Sequence, residues 1–416
     1  MDVNQPLALL AGLSPVQFMR RHWQKKPLLV RQAIPGFQPF LSRAALFKLA
    51  AREQVESRLI VQQEKSWSMK KGPLAPRSLP PLGKEGWTLL VQGVDLHEPA
   101  AHALLQQFRF VPDARLDDLM ISFATNGGGV GPHFDSYDVF LFQASGRRRW
   151  KIGLQKDFTL QQGVPLKILQ NFKADEEFVL EAGDMLYLPP RYAHDGIAEA
   201  CVGPDGKAAD CMTYSIGFRS PAQTELAAEL LHRLAEFGED AAEAVPGEEG
   251  RLPARPQRMY RDPAQPATVT PAAMPAGLAA FAGQAVLQAL KDPLALACAL
   301  GEYMTEPKPG VWFDEPQQAW DGDAAKTAQA GIELDARTRM MYDSDHIFIN
   351  GESYRAKGAD ASLMRRLADQ RHLAASELRK AGASAVELLG DWHDAGWLRQ
   401  ALPEPSGAGH QASGLN

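Results

Sequence analysis

A chain of 416 residues with 45% hydrophobic and 23% charged side chains has the make-up of a folded protein of two or three units, at roughly 100–200 residues per domain, and not of a disordered one. Its formal net charge of −6 argues against a broad nucleic-acid footprint and fits charged, basic partners better than DNA. No apolar run is long enough to span a bilayer, and the first residues, with Asp2, Asn4 and Gln5, lack the basic-then-apolar build of a signal peptide, so a cytoplasmic protein with no membrane partner is expected. Three cysteines, Cys201, Cys211 and Cys298, have neither an even count nor a zinc-like spacing, which argues against a disulfide framework or a structural zinc.

Ser14-Pro15-Val16-Gln17 places a capping Ser, a Pro at the first helical position and a Gln at the third, predicting a helix that runs to about Gln24. Residues 27–30 read as a strand, 43–56 as a second helix, and 58–62 and 88–92 as short strands. The intervening residues 71–86 are rich in Gly, Pro and Lys and predict an exposed loop. After a helix ending near Phe108 comes the strand 118–124. Asp118, Met120, Ser122 and Ala124 share one of its faces, and Leu119, Ile121 and Phe123 the other. Either face can be internal where helices cover the outside of a sheet. The glycine run at 126–131 predicts a mobile loop at the mouth of a site.

The chemistry concentrates in Gly131 to Gly153, GPHFDSYDVFLFQASGRRRWKIG. In extended backbone, residues i and i+2 project from one face, so His133 and Asp135 can offer an imidazole and a carboxylate to one ion. Residues 138–143 then read as a strand, Ser145-Gly146 as a turn and 147–152 as the return, a hairpin carrying ligands at one end. A third ligand comes from residues 183–194: a strand entered by a Gly-Asp turn and left through Pro189-Pro190 delivers His194. Two imidazoles and one carboxylate form the facial triad that suits non-heme Fe(II), with positions left open for a co-substrate and oxygen. An isolated His-x-Asp is more often an incidental surface pair. Here the Gly-Asp-x-x-Tyr-x-Pro-Pro strand and the following His make coincidence a poor explanation.

Strand alternation also sorts the three arginines. Arg147, Arg149 and Lys151 share one face, while Arg148 shares the apolar face of Trp150 and Ile152 and is expected inside the barrel. An unpaired guanidinium there is costly. Either an internal Asp or Glu meets it as a salt bridge, or the distal carboxylate of a dicarboxylate co-substrate does, held by the planar fork.

Past the strand 211–218 the pattern turns helical. Leucines at 226, 230, 231 and 234 make a stripe over 224–237 and a second stripe spans 281–290, with a Pro-, Ala- and Glu-rich loop over 238–275 between them. From Gly310 onward a third unit shows a strand, an Asn350-Gly351 turn and a returning strand over 345–355. Helices follow at 361–368, 376–380 and 383–392, and the combination reads as a winged helix. Its candidate recognition helix, 384–394, carries acids and no Lys or Arg, so it is assigned a packing or protein-binding role with no direct DNA contact.

His133-x-Asp135, the Gly-Arg-Arg-Arg-Trp return strand and the distant His194 resemble the JmjC-type, cupin-fold 2-oxoglutarate oxygenases, in particular the bacterial ribosomal-protein hydroxylases. The words that carry the resemblance also include Met120-Ile-Ser-Phe123, Gly127-Gly-Gly-Val-Gly-Pro-His133, Asp138-Val-Phe140 and Tyr214-Ser-Ile-Gly-Phe-Arg219. With Trp23-Gln-Lys-Lys-Pro-Leu-Leu-Val-Arg31 the likeness covers essentially the whole chain and departs at no metal-ligand position.

The resemblance implies an α+β fold: a double-stranded β-helix (cupin/JmjC) barrel with an N-terminal helical extension over 1–222, a helical dimerisation module over 223–309, a winged-helix-like domain over 310–402 and a flexible tail over 403–416. Without it, the helices of the second segment could equally pack on their own barrel. The resemblance implies Fe(II) on His133, Asp135 and His194 as the catalytic centre, O2 and 2-oxoglutarate as co-substrates, succinate and CO2 as co-products, and a homodimer acting on a ribosomal protein. It turns Ser122 inward to join Arg148 on 2-oxoglutarate; on the residues alone, a Ser merely tolerated in a buried strand is an equal reading. The bacterial branch implies hydroxylation of the β-carbon (C3) of an arginine in 50S large-subunit ribosomal protein sixteen, and relatives imply histidine targets on other ribosomal proteins. An arginine target must lose water near the metal, which is costly unless acceptors receive it. Asp118 and Ser215 are the candidates, Asp118 being equally readable as a solvated strand end. A non-catalytic metal-binding cupin or a winged-helix regulator would leave Arg148 without its dicarboxylate, and succinate release from 2-oxoglutarate separates these classes.

Overall fold

A computed structural model describes residues 2–63, 66–203, 206–243, 259–261, 263, 272, 274–317, 319–320 and 331–400. The chain divides into two compact units, Met1–Ser220 and Pro221–Asn416.

The first unit opens on helix α1 (Pro15–Arg21), whose capping box forms as the residues dictate: Ser14 Oγ accepts from Gln17 N and Gln17 Oε1 from Ser14 N. It ends before Gln24, whose φ of +55° cannot continue a right-handed helix. Gln24 instead donates its backbone N–H to Tyr187 and its side chain to Asp138. Asp138 is fully buried and also receives Tyr187 Oη at 2.6 Å and Arg115 Nη2 at 3.2 Å, so one carboxylate ties the N-terminal segment to the barrel. Helix α2 (Arg43–Leu49) is shorter than its sequence pattern suggested. Ser57 Oγ takes the carbonyl of Ala50 and Val55 is drawn into the core, which turns the chain into the next strand.

Two sheets form the barrel. In order, β1 (Leu28–Val30), β2 (Ser57–Gln63), β3 (Ser66–Lys71), β4 (Trp87–Val91), β5 (Leu116–Ala124), β6 (Val139–Ser145), β7 (Arg147–Gly153), β8 (Glu176–Glu181), β9 (Met185–Leu188), β10 (Ala193–Glu199) and β11 (Cys211–Phe218) divide into an eight-stranded sheet, β1-β9-β6-β11-β5-β4-β2-β3, and a three-stranded sheet, β10-β7-β8. This is the double-stranded β-helix expected from the motifs. Leu119, Ile121, Phe123, Tyr214 and Ile216 point out of the large sheet and pack with Phe18 of α1, Leu46 of α2, Leu104 of α3 (Pro99–Gln106) and Phe108 just beyond it. Between the sheets, Val139, Leu141, Trp150, Ile152, Leu180, Leu186 and Leu188 form a second, smaller core.

Three expectations need correction. The segments around Gly146 are not a hairpin: β6 pairs with β9 and β11, whereas β7 pairs with β8 and β10. Gly146, at φ +70°, turns the chain from one sheet into the other, where a Cβ would lie 2.7 Å from Asp210 O. Residues 71–86 are not simply an exposed loop, because β3 runs through Lys71 and Leu74 is fully buried. Nor is the glycine run an open loop. Gly128 and Gly129 are buried, Gly127 N donates to Ala198 O and Ala198 N to Gly128 O, and a Cβ at Gly129 would meet Gly196 O at 2.6 Å. The glycines there serve close backbone approach.

In the second unit, α4 (Gln223–Glu243) extends beyond the end at 237 set by the leucine stripe, and is followed by α5 (Ala276–Ala289) and α6 (Pro293–Thr305), the last capped by Asp292. Most of the loop expected over 238–275 lies outside the described residues, as does the tail from 403. The predicted Asn-Gly hairpin is present: β12 (His346–Ile349) and β13 (Glu352–Arg355) are joined through Asn350 and Gly351, at φ +48° and +92°. Helix Ala383–Asp394 buries Ala385, Val386, Leu389 and Trp392 and is a core helix of this unit. No helix among the described residues is long and apolar enough to cross a membrane.

A close approach in the small sheet is directly testable. Gly196 on β10 lies opposite Trp150 on β7, and a Cβ at 196 would sit 2.5 Å from the buried indole ring. Gly196→Ala is therefore expected to destabilise the first unit by about 1–3 kcal/mol, the range for overpacking a filled core. A lowered urea midpoint at unchanged slope is the measurement; an unchanged midpoint would show that Trp150 can move freely.

Candidate metal and co-substrate site

His133 and Asp135 precede β6, and His194 is the second residue of β10. The two histidines form an isolated antiparallel bridge, His133 N donating to His194 O at 2.9 Å and His194 N to His133 O at 2.8 Å. Direct backbone pairing sets their rings 4.2 Å apart. His133, Asp135 and His194 each bring one ligand-type atom within 4.8 Å of the others, and Asp135 Oδ2 lies 3.7 Å from His194 Nε2. The Arg191 N–H donates to Asp135 O, fixing the carboxylate's backbone from the Pro-Pro loop.

The imidazoles are also fixed in their tautomers. His133 Nδ1 lies 2.8 Å from Gly131 O and His194 Nδ1 2.9 Å from Tyr192 O. A backbone carbonyl only accepts, so each Nδ1 carries the proton and each Nε2 keeps a free lone pair. Burial pushes His194 down to about 4, so it stays neutral at physiological pH. Two imidazole nitrogens and one carboxylate oxygen on one side of an open space suit a divalent transition metal that keeps further positions free.

A cavity of about 300 Å3 runs from this cluster through the barrel, and Asp118, Ser122, Arg148 and Ser215 line it together with His133, Asp135 and His194. Every residue singled out in the sequence thus meets at one place. Alternation is as expected on β7: Arg148, Trp150 and Ile152 are buried, while Arg147, Arg149 and Lys151 face outward. The outward arginines have acids beside them. Arg149 pairs with Glu177 and Glu199, and Arg147 lies 3.9 Å from Glu199. Arg148 differs: it is 3% exposed, and its Nε and Nη2 have no hydrogen-bond partner. Its guanidinium lies against the Trp150 ring at 5.8 Å. The salt bridge to an internal acid, one of the two readings of this residue, does not form among the described residues, and the cavity is left with two unpaired donors that fit an anionic acceptor.

Away from Arg148 the cavity is acidic: Arg148 pairs with Ala198, which packs on Ala124 at one end of β5, and Asp118 lies toward the other end of that strand. Asp118 is 6% exposed, lines the cavity and accepts from Gly93 N at 2.9 Å, so it is not a solvated strand end. The β5–β11 pairing sets Met120 opposite Ser215 and Ser122 opposite Thr213. Ser122 Oγ lies 3.4 Å from Thr213 O.

Sequence reasoning missed Arg58, Gln92, Thr213, Tyr137 and Lys167, all of which line the same cavity. Thr213 was within reach of the alternation argument, since it shares a face with Ser215 on β11. Tyr137 lies two residues past Asp135; burial and then the neighbouring Asp135 charge push its phenol well above the ordinary value, so it stays protonated. Arg58 and Gln92 reach the cavity only because β2 and β4 extend the large sheet beyond β5, a pairing that no local pattern announces.

Residues 103–226 match the JmjC domain family and residues 288–399 the ROXA-like winged helix. The chain is 34% identical over 348 residues to the ribosomal protein uL16 3-hydroxylase of Escherichia coli, covering 80% of this chain and 84% of that protein. A probable ribosomal oxygenase of Haemophilus influenzae is 36% identical over 214 residues, half of each chain. Among solved structures, a ribosomal oxygenase from Escherichia coli in complex with cobalt and 2-oxoglutarate superposes with a TM-score of 0.73 at 28% identity, covering 93% of this chain and 98% of that one. With a relative this similar along most of its length, the chain belongs to the JmjC-domain ribosomal oxygenases, the family of the uL16 3-hydroxylase.

Proposed function

We propose that the protein is an Fe(II)- and 2-oxoglutarate-dependent hydroxylase of a ribosomal protein, acting on the β-carbon of an arginine in large-subunit protein uL16, in keeping with its Escherichia coli relative, a ribosomal protein uL16 3-hydroxylase. A buried guanidinium without an acceptor, facing an open His-Asp-His cluster across one cavity, carries this reading. His133, Asp135 and His194 are the residues that would hold the iron, through two Nε2 lone pairs and a carboxylate oxygen. Arg148, with Ser122 beside it, would hold the distal carboxylate of 2-oxoglutarate. Bound there, metal and co-substrate supply the oxidising power to place oxygen on an unactivated C–H bond, with succinate and CO2 as co-products. The protein's own share is orientation and exclusion of water, for which Val139, Leu141 and Trp150 furnish apolar walls.

For the target side chain, Asp118 and Ser215 at the acidic end would receive a guanidinium, charge-assisted on the carboxylate. Helices α4–α6 are proposed as a homodimerisation module, a reading supported by exposed Val286, Leu287, Leu290, Leu294 and Leu300 on α5 and around α6. The winged-helix unit is assigned a packing or protein-binding role, and a ribosomal-protein substrate fits a cytoplasmic location.

Replacing any one of His133, Asp135 or His194 with Ala is expected to abolish succinate release and stoichiometric Fe(II) binding while the far-UV spectrum is unchanged. Near wild-type turnover in any of the three with added Fe(II) would remove the triad. Arg148→Ala should raise the apparent KM for 2-oxoglutarate about 10-fold to 150-fold, the equivalent of a charged hydrogen bond worth roughly 1.5–3 kcal/mol, with far smaller effects at Arg147 and Arg149. The largest effect at either neighbour would overturn the assignment of Arg148. Asp118→Asn keeps shape and the Gly93 contact but removes charge; hydroxylation of a uL16 arginine peptide, followed by mass spectrometry, should fall much more than peptide-free 2-oxoglutarate decarboxylation. Equal loss of both would make Asp118 a structural residue.

A further inference from the structure

Arg58 is a cation in the wall of a cavity whose proposed target is itself cationic. It projects from β2, pairs across to Leu90 on β4, and lines the cavity with Leu90, Gln92, Met120 and Asp118. Its Nη2 donates to Gln92 Oε1 at 2.6 Å, which holds the plane of the guanidinium. Its Nε is buried and has no hydrogen-bond partner among the described residues; the nearest carboxylate oxygen there, Glu56 Oε1, is 3.9 Å away on a largely exposed side chain. A buried donor left unmet costs about 1–3 kcal/mol, and a fixed like charge near an incoming arginine adds repulsion. The first cost vanishes if the donor meets an oxygen brought by the substrate, and the repulsion is offset by the carboxylates of Asp117 and Asp118 in the same cavity wall. A substrate carboxylate is a poor candidate for that oxygen, because Asp117 and Asp118 line the same end of the cavity and would repel it. A neutral main-chain carbonyl meets no such opposition, and a planar guanidinium held by Gln92 presents its free N–H in one direction.

We propose that Arg58 is a positioning residue for the protein substrate, donating to a main-chain carbonyl of the segment that carries the target arginine and so setting which C–H bond faces the metal. The proposal rests on the arginine-target reading given above. Its function would be register: the acidic end receives the side-chain charge, and Arg58 holds the backbone that bears it.

The experiment uses the full-length chain with Fe(II), 2-oxoglutarate and a synthetic uL16 arginine peptide. Wild-type hydroxylation is measured first; its absence overturns the target and Arg58's role with it. Given wild-type turnover, Arg58→Ala is expected to raise the peptide KM at least 10-fold and to lower the fraction of 2-oxoglutarate turnover coupled to hydroxylation, with the KM for 2-oxoglutarate changed less than twofold. Arg58→Lys keeps the charge and most of the stem but lacks the Nε donor, and is expected to share the loss of coupling; it also decides the matter if the Ala variant shows a collapsed thermal midpoint. An unchanged peptide KM in both variants, or a parallel rise in the KM for 2-oxoglutarate, overturns the proposal. A peptide with its acidic residues changed to amides separates the two kinds of acceptor. Retained wild-type turnover supports the carbonyl, and a loss in wild type that is absent in Arg58→Ala overturns it in favour of a carboxylate.

Discussion

A guanidinium enclosed between two sheets without a protein acceptor is the constraint on which the barrel's interior depends. Desolvating Arg148 costs several kcal/mol if nothing answers its charge, and the surrounding residues leave that cost standing. Trp150 covers one face of the group, Gly196 is reduced to a hydrogen so that the indole can lie there, and Glu177 and Glu199 of the small sheet face Arg147 and Arg149 outside. A core built for stability alone would fill such a position with an apolar side chain. The unmet donors therefore belong to a site whose other half arrives from solution, in keeping with the dicarboxylate proposed for it.

The same economy governs the metal cluster. His133 and His194 lie 61 positions apart in the chain, yet they are mutual backbone partners, so neither residue's backbone can shift without breaking a bridge. Their Nδ1 protons are committed to carbonyls two residues upstream of each. Local backbone, not a second layer of charged side chains, holds the tautomers.

Much of this was legible because strand alternation has a period of two and leaves little freedom. Once Trp150 and Ile152 were taken as internal, Arg148 had to follow, and the structure buries all three. The capping box at Ser14 and the Asn350-Gly351 turn were equally local and formed as expected. What escaped was pairing. Nothing in residues 138–152 distinguishes a hairpin from two strands that part at Gly146 into different sheets, since both need a positive φ at the same glycine. The early end of α2 depends on Ser57 reaching back to Ala50, and the burial of the glycine run on Gly196 approaching from β10. Each is a tertiary event that overrides a correct local preference.

Charge separation along the cavity links these features to selectivity. Arg148 lies toward the Ala124 end of β5 and Asp118 with Asp117 toward its other end, and all of them line one cavity with the proposed metal ligands. A dianionic co-substrate and a cationic side chain would each be repelled from the other's end, so the two can fill the cavity in only one orientation without any contact between them. Asp118 strengthens the discrimination because Gly93 N already occupies one of its oxygens, leaving limited room for a competing ligand. Arg58 then stands beside these acids as a cation whose nearest carboxylate oxygen among the described residues, on Glu56, is 3.9 Å away. In an environment that otherwise selects positive charge, a braced guanidinium can be tolerated only where the incoming chain presents oxygen, and the part of any peptide that always does so is its backbone.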